Sequence, residues 1–168
     1  NENYSVAEGA YKEVLKNSLT KEKIENAHVH LLKISRILGD HRSAERKIKS
    51  MLVDEKFKNI KGELELELVQ LYLAQKDTDN AMVRLESIIN DYQRTKTSAE
   101  AYYLMGQINL SGIWNPEIAK EKFSQVKKEY NRSEYGPIAE SKIKAIDTYN
   151  QSLNSLKIYD SIKSDTLL

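Results

Sequence analysis

The side chains best equipped for chemistry in this sequence are three histidines and one run of carboxylates. His28 and His30 stand two residues apart, with His41 further on. Two residues on a helix diverge by about 200°, so that pair cannot close on one metal ion. Glu63, Glu65 and Glu67 alternate, and the same geometry turns them away from one another. They read as a solvated face rather than the paired carboxylates of an acid–base site. All six glycines are isolated, and none opens a Gly-Lys-Ser/Thr phosphate loop. The absence of cysteine removes thiolate metal sites, disulfides and cysteine nucleophiles. Asn-x-Ser triplets at Asn3, Asn109, Asn131 and Asn150 are expected by chance in a chain so rich in both residues. The expectation is a protein with no catalytic residues, no cofactor and no metal.

The elements that carry these residues repeat. A small residue opens an apolar triplet spaced four and then three apart at Ala7–Tyr11–Val14, Ala44–Ile48–Met51, Ala81–Leu85–Ile88 and Ala119–Phe123–Val126. A second series runs Ala27–Leu31–Ile34, Leu64–Leu68–Leu71, Ala101–Met105–Ile108 and Ala139–Ile143–Ile146. Both series advance by 37, 37 and 38 residues, and all 24 positions are apolar in a chain that is 40% hydrophobic. Residues four and three apart share one face at 3.6 residues per turn, so each triplet predicts one buried helix stripe. Each unit then reads as a first helix, a turn, a second helix and a connection.

Turn chemistry punctuates the pattern. Gly39 suits a helix end and Asp40 the next start; Asp77 and the Asn115-Pro116 pair suit helix starts as well. Thr97 with Glu100 matches a capping box, and Gly136-Pro137 opens the last helix. Gly62–Leu68 alternates as a strand would, but its neighbours break the alternation and its register matches the other first helices. It is predicted helical, with Leu66 and Leu73 lying off the main stripe.

Those residues resemble the tetratricopeptide repeats. The third unit is fullest, with Ala101-Tyr102-Tyr103-Leu104-Met105-Gly106, Asn109, Ala119, Phe123 and Val126. The second keeps Leu68, Tyr72, Asp77, Ala81, Leu85 and Ile88; the first keeps Leu31, Gly39, Asp40, Ala44 and Ile48. The period is longer than the family's usual 34, and two of three Gly positions hold Val69 and Leu32. The resemblance implies an all-α fold, a right-handed α-solenoid of antiparallel helix hairpins. One array spans residues 1–168: the second helix of a truncated unit at 3–18, repeats at 21–55, 61–92 and 98–130, and capping helices at 136–163. Gly106 is expected at a close helix crossing. Phe123–Tyr130 and Leu85–Tyr92 are similar to segments of bacterial envelope members, the outer-membrane assembly lipoproteins and the periplasmic protein of the Tol–Pal system. A periplasmic or outer-membrane-associated setting is implied by that narrower resemblance.

By the same resemblance, a concave face is lined by first-helix residues off the buried stripe. The candidates are Val29, Lys33 and Arg36, then Leu66, Gln70 and Leu73, then Tyr103, Gln107 and Leu110, with Ser141, Ala145 and Thr148 on the last helix. This mixture suits an extended peptide or partner helix; the three leucines could instead complete packing between units. Only Lys33 fits the family's carboxylate-gripping chemistry, so no such clamp is expected.

Charge and hydropathy bound the partner. The 26 basic and 25 acidic residues are interspersed, which argues against a nucleic-acid stripe, and no run of about 18 apolar residues could span a membrane. The expected function is a non-enzymatic protein–protein interaction scaffold. The alternative is a structural or oligomerisation segment of a larger repeat protein with contacts at its ends. Residues 3–17 carry a second-helix stripe without a first helix before it, so preceding repeats, a partner or self-association is expected there. Ser152–Ile162, with Leu153, Leu156, Tyr159 and Ile162, reads as a capping helix or as a continuation of the last one, and Ser164–Leu168 as a frayed tail.

Overall fold

The computed structural model describes residues 2–165, with side chains at 3–163. The described residues are all-helical, with no strand among them. Eight α-helices follow in order: α1 (Glu2–Asn17), α2 (Lys21–Ile37), α3 (His41–Val53), α4 (Lys61–Ala74), α5 (Thr78–Asp91), α6 (Lys96–Gln107), α7 (Pro116–Glu129) and α8 (Tyr135–Asp165). A 3₁₀ segment, Glu55–Ile60, joins α3 to α4, and a π-helical turn, Ile108–Gly112, extends α6. The frayed tail expected at Ser164–Leu168 lies outside the described side chains, and residues 166–168 outside the described backbone.

The helix boundaries follow local chemistry. Gly39 closes α2 at φ +85°, a left-handed conformation that costs glycine nothing. Asp40 stands at the start of α3 but makes no side-chain capping bond. Asp77 accepts a hydrogen bond from the Asn80 amide at 3.2 Å, and Asn115 accepts one from Ile118 at 3.2 Å directly before Pro116. The expected Thr97–Glu100 box is displaced. Thr95 and Ser98 form the reciprocal pair at 3.3 and 3.2 Å, two residues earlier, and Thr97 is buried. Thr95 wins because it alone takes the extended conformation a cap requires (φ −119°, ψ 168°).

The chain divides into two compact units, Asn1–Tyr92 and Gln93–Leu168. In the first, α1 to α4 each pack on the next helix, and α2 also packs on α4. Its core joins Leu32, Ala44, Ile48, Met51, Ile60, Leu64, Leu68 and Leu71. In the second, α6 packs on α7 and on α8, and α7 on α8. Ala99, Ala119, Phe123, Val126, Ala139 and Ile146 form its core. Of the 24 periodic stripe positions, 20 are buried; Ala7, Tyr11, Val14 and Ile143 are half-buried. Periodicity therefore located the cores of both units.

Helix α4 is buried on nearly every side, which corrects the expectation of a solvated carboxylate face. Gly62, Leu64, Leu66, Glu67, Leu68, Val69 and Leu71 are all buried. Packed among α2, α3 and α5, the helix has no side wide enough to leave three glutamates in water. Glu67 is 3% exposed and accepts from Arg36 Nε at 2.6 Å; Glu65 lies 3.3 Å from Arg84. In α6, Gly106 is the close crossing: a Cβ there would lie 2.5 Å from Phe123 Cε1.

Candidate functional site

Packing and pairing take up half of the column foreseen for the first unit. Val29 and Leu66 are buried at 8% and 6% exposure, and Val29 belongs to the core. Arg36 is held by Glu67, and its main-chain oxygen lies 3.2 Å from His41 Nε2. Burial pushes the Glu67 carboxyl above the usual carboxylate range, against the pull of the Arg36 guanidinium. Burial likewise raises Glu65, with Arg84 opposing and Asp91 reinforcing. Lys33 is exposed, and Gln70 and Leu73 are half-buried.

The histidines of this unit are packing residues. His30 stacks on Tyr11 with ring centroids 4.6 Å apart, and His28 meets Phe57 edge-on at 5.1 Å. Burial, then the nearby Lys47, lowers the His28 pKa; burial, then Lys33, lowers that of His30. His28 Nδ1 is buried without a hydrogen-bond partner. Among the described residues no three His, Cys, Asp or Glu side chains converge where a metal could sit. None of their helices is long and apolar enough to cross a membrane.

In the second unit Tyr103 stacks on Tyr135 at 4.7 Å, and its hydroxyl accepts from Gln107 Nε2 at 3.2 Å. Burial, with Glu100 close by, raises the Tyr135 pKa strongly, so its hydroxyl stays neutral. These two expected groove residues are therefore engaged with their own neighbours. Leu110 has a different setting. It lines an apolar cavity of about 210 Å³ together with Trp114, Pro116, Ala145, Ile146 and Tyr149. Ser141 and Thr148 of the expected column are exposed on α8.

The loop over this cavity is a built structure. The π-helical turn is held by Asn109, buried, whose Nδ2 donates to the Met105 carbonyl at 2.8 Å. Ser111 Oγ donates to the Gln107 carbonyl at 2.7 Å, and the Asn115 amide to the Asn109 carbonyl at 2.7 Å. Between these ties Trp114 takes φ +54°, a left-handed conformation that costs a bulky residue about 1–2 kcal/mol. Its indole remains 60% exposed and meets Tyr149 edge-on at 5.6 Å. Two polar pairs join α7 to α8 through residues close in sequence to the lining. Asn150 donates to Glu117 at 2.7 Å, and Lys120 pairs with Asp147.

The column implied by the resemblance included Leu110 and Ala145 but missed Trp114, Pro116 and Tyr149. The available signal was the chain's single tryptophan, placed in a turn directly before Asn-Pro and outside every stripe. Beyond the cavity, α8 runs on with every side chain from Gln151 to Lys163 exposed, including Leu156 at 59%, Ile158 at 54% and Tyr159 at 63%. No family model matches the chain, and no curated protein or solved structure does either.

Proposed function

We propose that the protein is a non-enzymatic interaction scaffold that seats an apolar side chain of a protein partner in the cavity beneath Trp114. The observation that carries this reading is the strained, exposed Trp114 held over an apolar hollow by three local hydrogen bonds. Folding alone favours glycine at that φ and a buried indole; recognition of an apolar anchor favours what is present. An apolar centre with polar pairs close in sequence to its lining, Asn150–Glu117 and Lys120–Asp147, fits the anatomy of an interaction hot spot.

The resemblance to tetratricopeptide repeats supports the same reading, with the hairpins stacked as a right-handed solenoid and a bacterial envelope as the setting. Val29 and Leu66, by contrast, serve the core of the first unit. The test is a photoreactive side chain in place of Leu110 in the full chain. Crosslinks to protein that vanish when Trp114→Asp is added, with helicity retained, support the reading. Crosslinks unaffected by Trp114→Asp would remove it.

A further inference from the structure

Helix-face cations of the first unit meet glutamates four residues away: Lys12 with Glu8, Lys21 with Glu25 and Lys49 with Glu45. Helix α3 departs from that habit. It carries Arg42, Arg46, Lys47 and Lys49 against a single acidic residue, Glu45, in a chain with 26 basic and 25 acidic residues. Arg42 and Arg46 are exposed and stand four apart, so they share one side of the helix. Neither pairs with a carboxylate among the described residues. The Arg46 Nε–H reaches only the Arg42 carbonyl, at 3.4 Å, and Glu45 is taken by Lys49 at 2.7 Å.

Folding gains nothing from this arrangement. Like charges at a spacing of four destabilise a helix. Arg42 adds a second cost: it stands near the start of α3, whose first turn holds no acidic residue, and the positive end of the helix dipole repels it. Packing does not repay either cost, because the buried stripe of Ala44, Ile48 and Met51 lies on the other side of the helix. Together with Glu45 and Lys49, the two arginines line an open hollow of about 390 Å³. Two guanidiniums left without counter-charge at one hollow are neutralised by a ligand with two anionic groups.

We infer that this face of α3 is a second binding surface, whose occupant is an extended acidic segment of a protein partner with two carboxylates two residues apart. Spacing selects that occupant. Arg42 and Arg46 are separated by about 6 Å along the helix axis, and alternate side chains of an extended chain stand about 6–7 Å apart on one side. Each guanidinium then takes one carboxylate through its parallel N–H groups, a geometry that an arginine fork offers and a lysine does not. Glu45 argues against a single compact polyanion in the hollow, because it lines the same space and already occupies Lys49. The surface belongs to the first unit and does not depend on the reading of the cavity beneath Trp114.

The experiment is a titration of the nitrogen-15-labelled full chain, in low salt, with a short peptide carrying two glutamates separated by one threonine. Saturable amide shifts centred on residues 41–49 are expected, and none with a peptide whose glutamates are replaced by glutamine. Arg42→Gln and Arg46→Gln should each weaken binding about fivefold or more, and Arg46→Lys about threefold although the charge is kept. Lys58→Gln, on the 3₁₀ segment, should leave binding unchanged. All three positions are exposed, and melting temperatures at or above the parent's show that each variant is folded. Shifts that do not saturate, equal binding of the glutamine peptide, or an Arg46→Lys chain that binds as tightly as the parent overturns the paired-carboxylate surface. So does a Lys58→Gln chain weakened as much as Arg46→Gln. Inorganic phosphate binding α3 more tightly than the peptide would make the ligand one compact anion and overturn the acidic segment.

Discussion

Arg36 on α2 donates its Nε–H to the buried carboxylate of Glu67 on α4 across 2.6 Å, joining two helices that are not consecutive. Arg36 retains 22% of its side-chain exposure and Glu67 only 3%, so the cost of breaking the pair is asymmetric. Arg36→Ala strands a carboxylate in the core and is expected to destabilise the protein by about 2–4 kcal/mol in urea unfolding at pH 7. The paired replacement Arg36→Met with Glu67→Leu should recover most of that loss, because it removes both desolvation costs. Equal destabilisation by the single and paired variants would show that the pair contributes more than its own burial penalty.

The loss on Arg36→Ala should also depend on pH in a definite direction. Glu67 has its folded pKa raised by burial, so protonation favours the folded state, and its ionisation costs stability as pH rises through the folded pKa. Without Arg36 the folded pKa rises further. Arg36→Ala is therefore expected to cost less near pH 4 than at pH 7, measured by urea midpoints at both. A constant loss would mean that Glu67 is not the stranded charge.

His28 has the opposite sign. Its folded pKa is lowered by burial and Lys47, so the folded state prefers the neutral ring. Stability is then lost as pH falls through the unfolded value of about 6.5 towards the lowered folded value. His28→Phe keeps the edge contact with Phe57 and removes the orphaned Nδ1. It should flatten the fall in melting temperature between about pH 7 and pH 5 while shifting stability at pH 7 by less than about 1 kcal/mol. A fall as steep as the parent's would place the acid sensitivity elsewhere.

Gly106 lies against the Phe123 ring so closely that a Cβ would come within 2.5–2.9 Å of three ring atoms. Phe123 is itself 1% exposed and has nowhere to retreat. Gly106→Ala gains about 1 kcal/mol of helix propensity but forces the ring to move, and a net loss of about 1–3 kcal/mol is expected. Thermal unfolding checks the sign, and a stabilised variant would mean that α6 and α7 can separate cheaply.

Trp114→Gly separates folding from recognition. Glycine relieves the left-handed strain, worth about 1–2 kcal/mol, and loses little packing because the indole is 60% exposed. Unfolding should be unchanged or shifted upward by up to about 1 kcal/mol, while association through the cavity is lost. A variant destabilised by more than about 2 kcal/mol would make Trp114 a folding residue instead.

Local pattern determined a great deal here. The 37- and 38-residue spacing of Ala44, Ala81 and Ala119, and of Ala27, Leu64 and Ala101, placed the helices and most buried side chains, because a 3.6-residue period leaves one face to bury wherever it occurs. It also gave Gly39, Asp77 and Asn115 their roles at helix ends, which depend on a few adjacent residues, and Gly106 its role at the crossing. The tertiary structure decided what lies off the stripe. Leu66, Val29 and Glu67 are buried because α4 and α2 are covered from several sides, and no periodicity within one helix records how many neighbours it has. The cap moved from Thr97 to Thr95 because backbone angles, not residue type, select the capping residue. Trp114, Pro116 and Tyr149 meet only because a π-helical turn on α6 and the start of α7 face the middle of α8. That convergence lies between elements, so spacing along the chain could not point to the cavity that they share with Leu110 and Ala145.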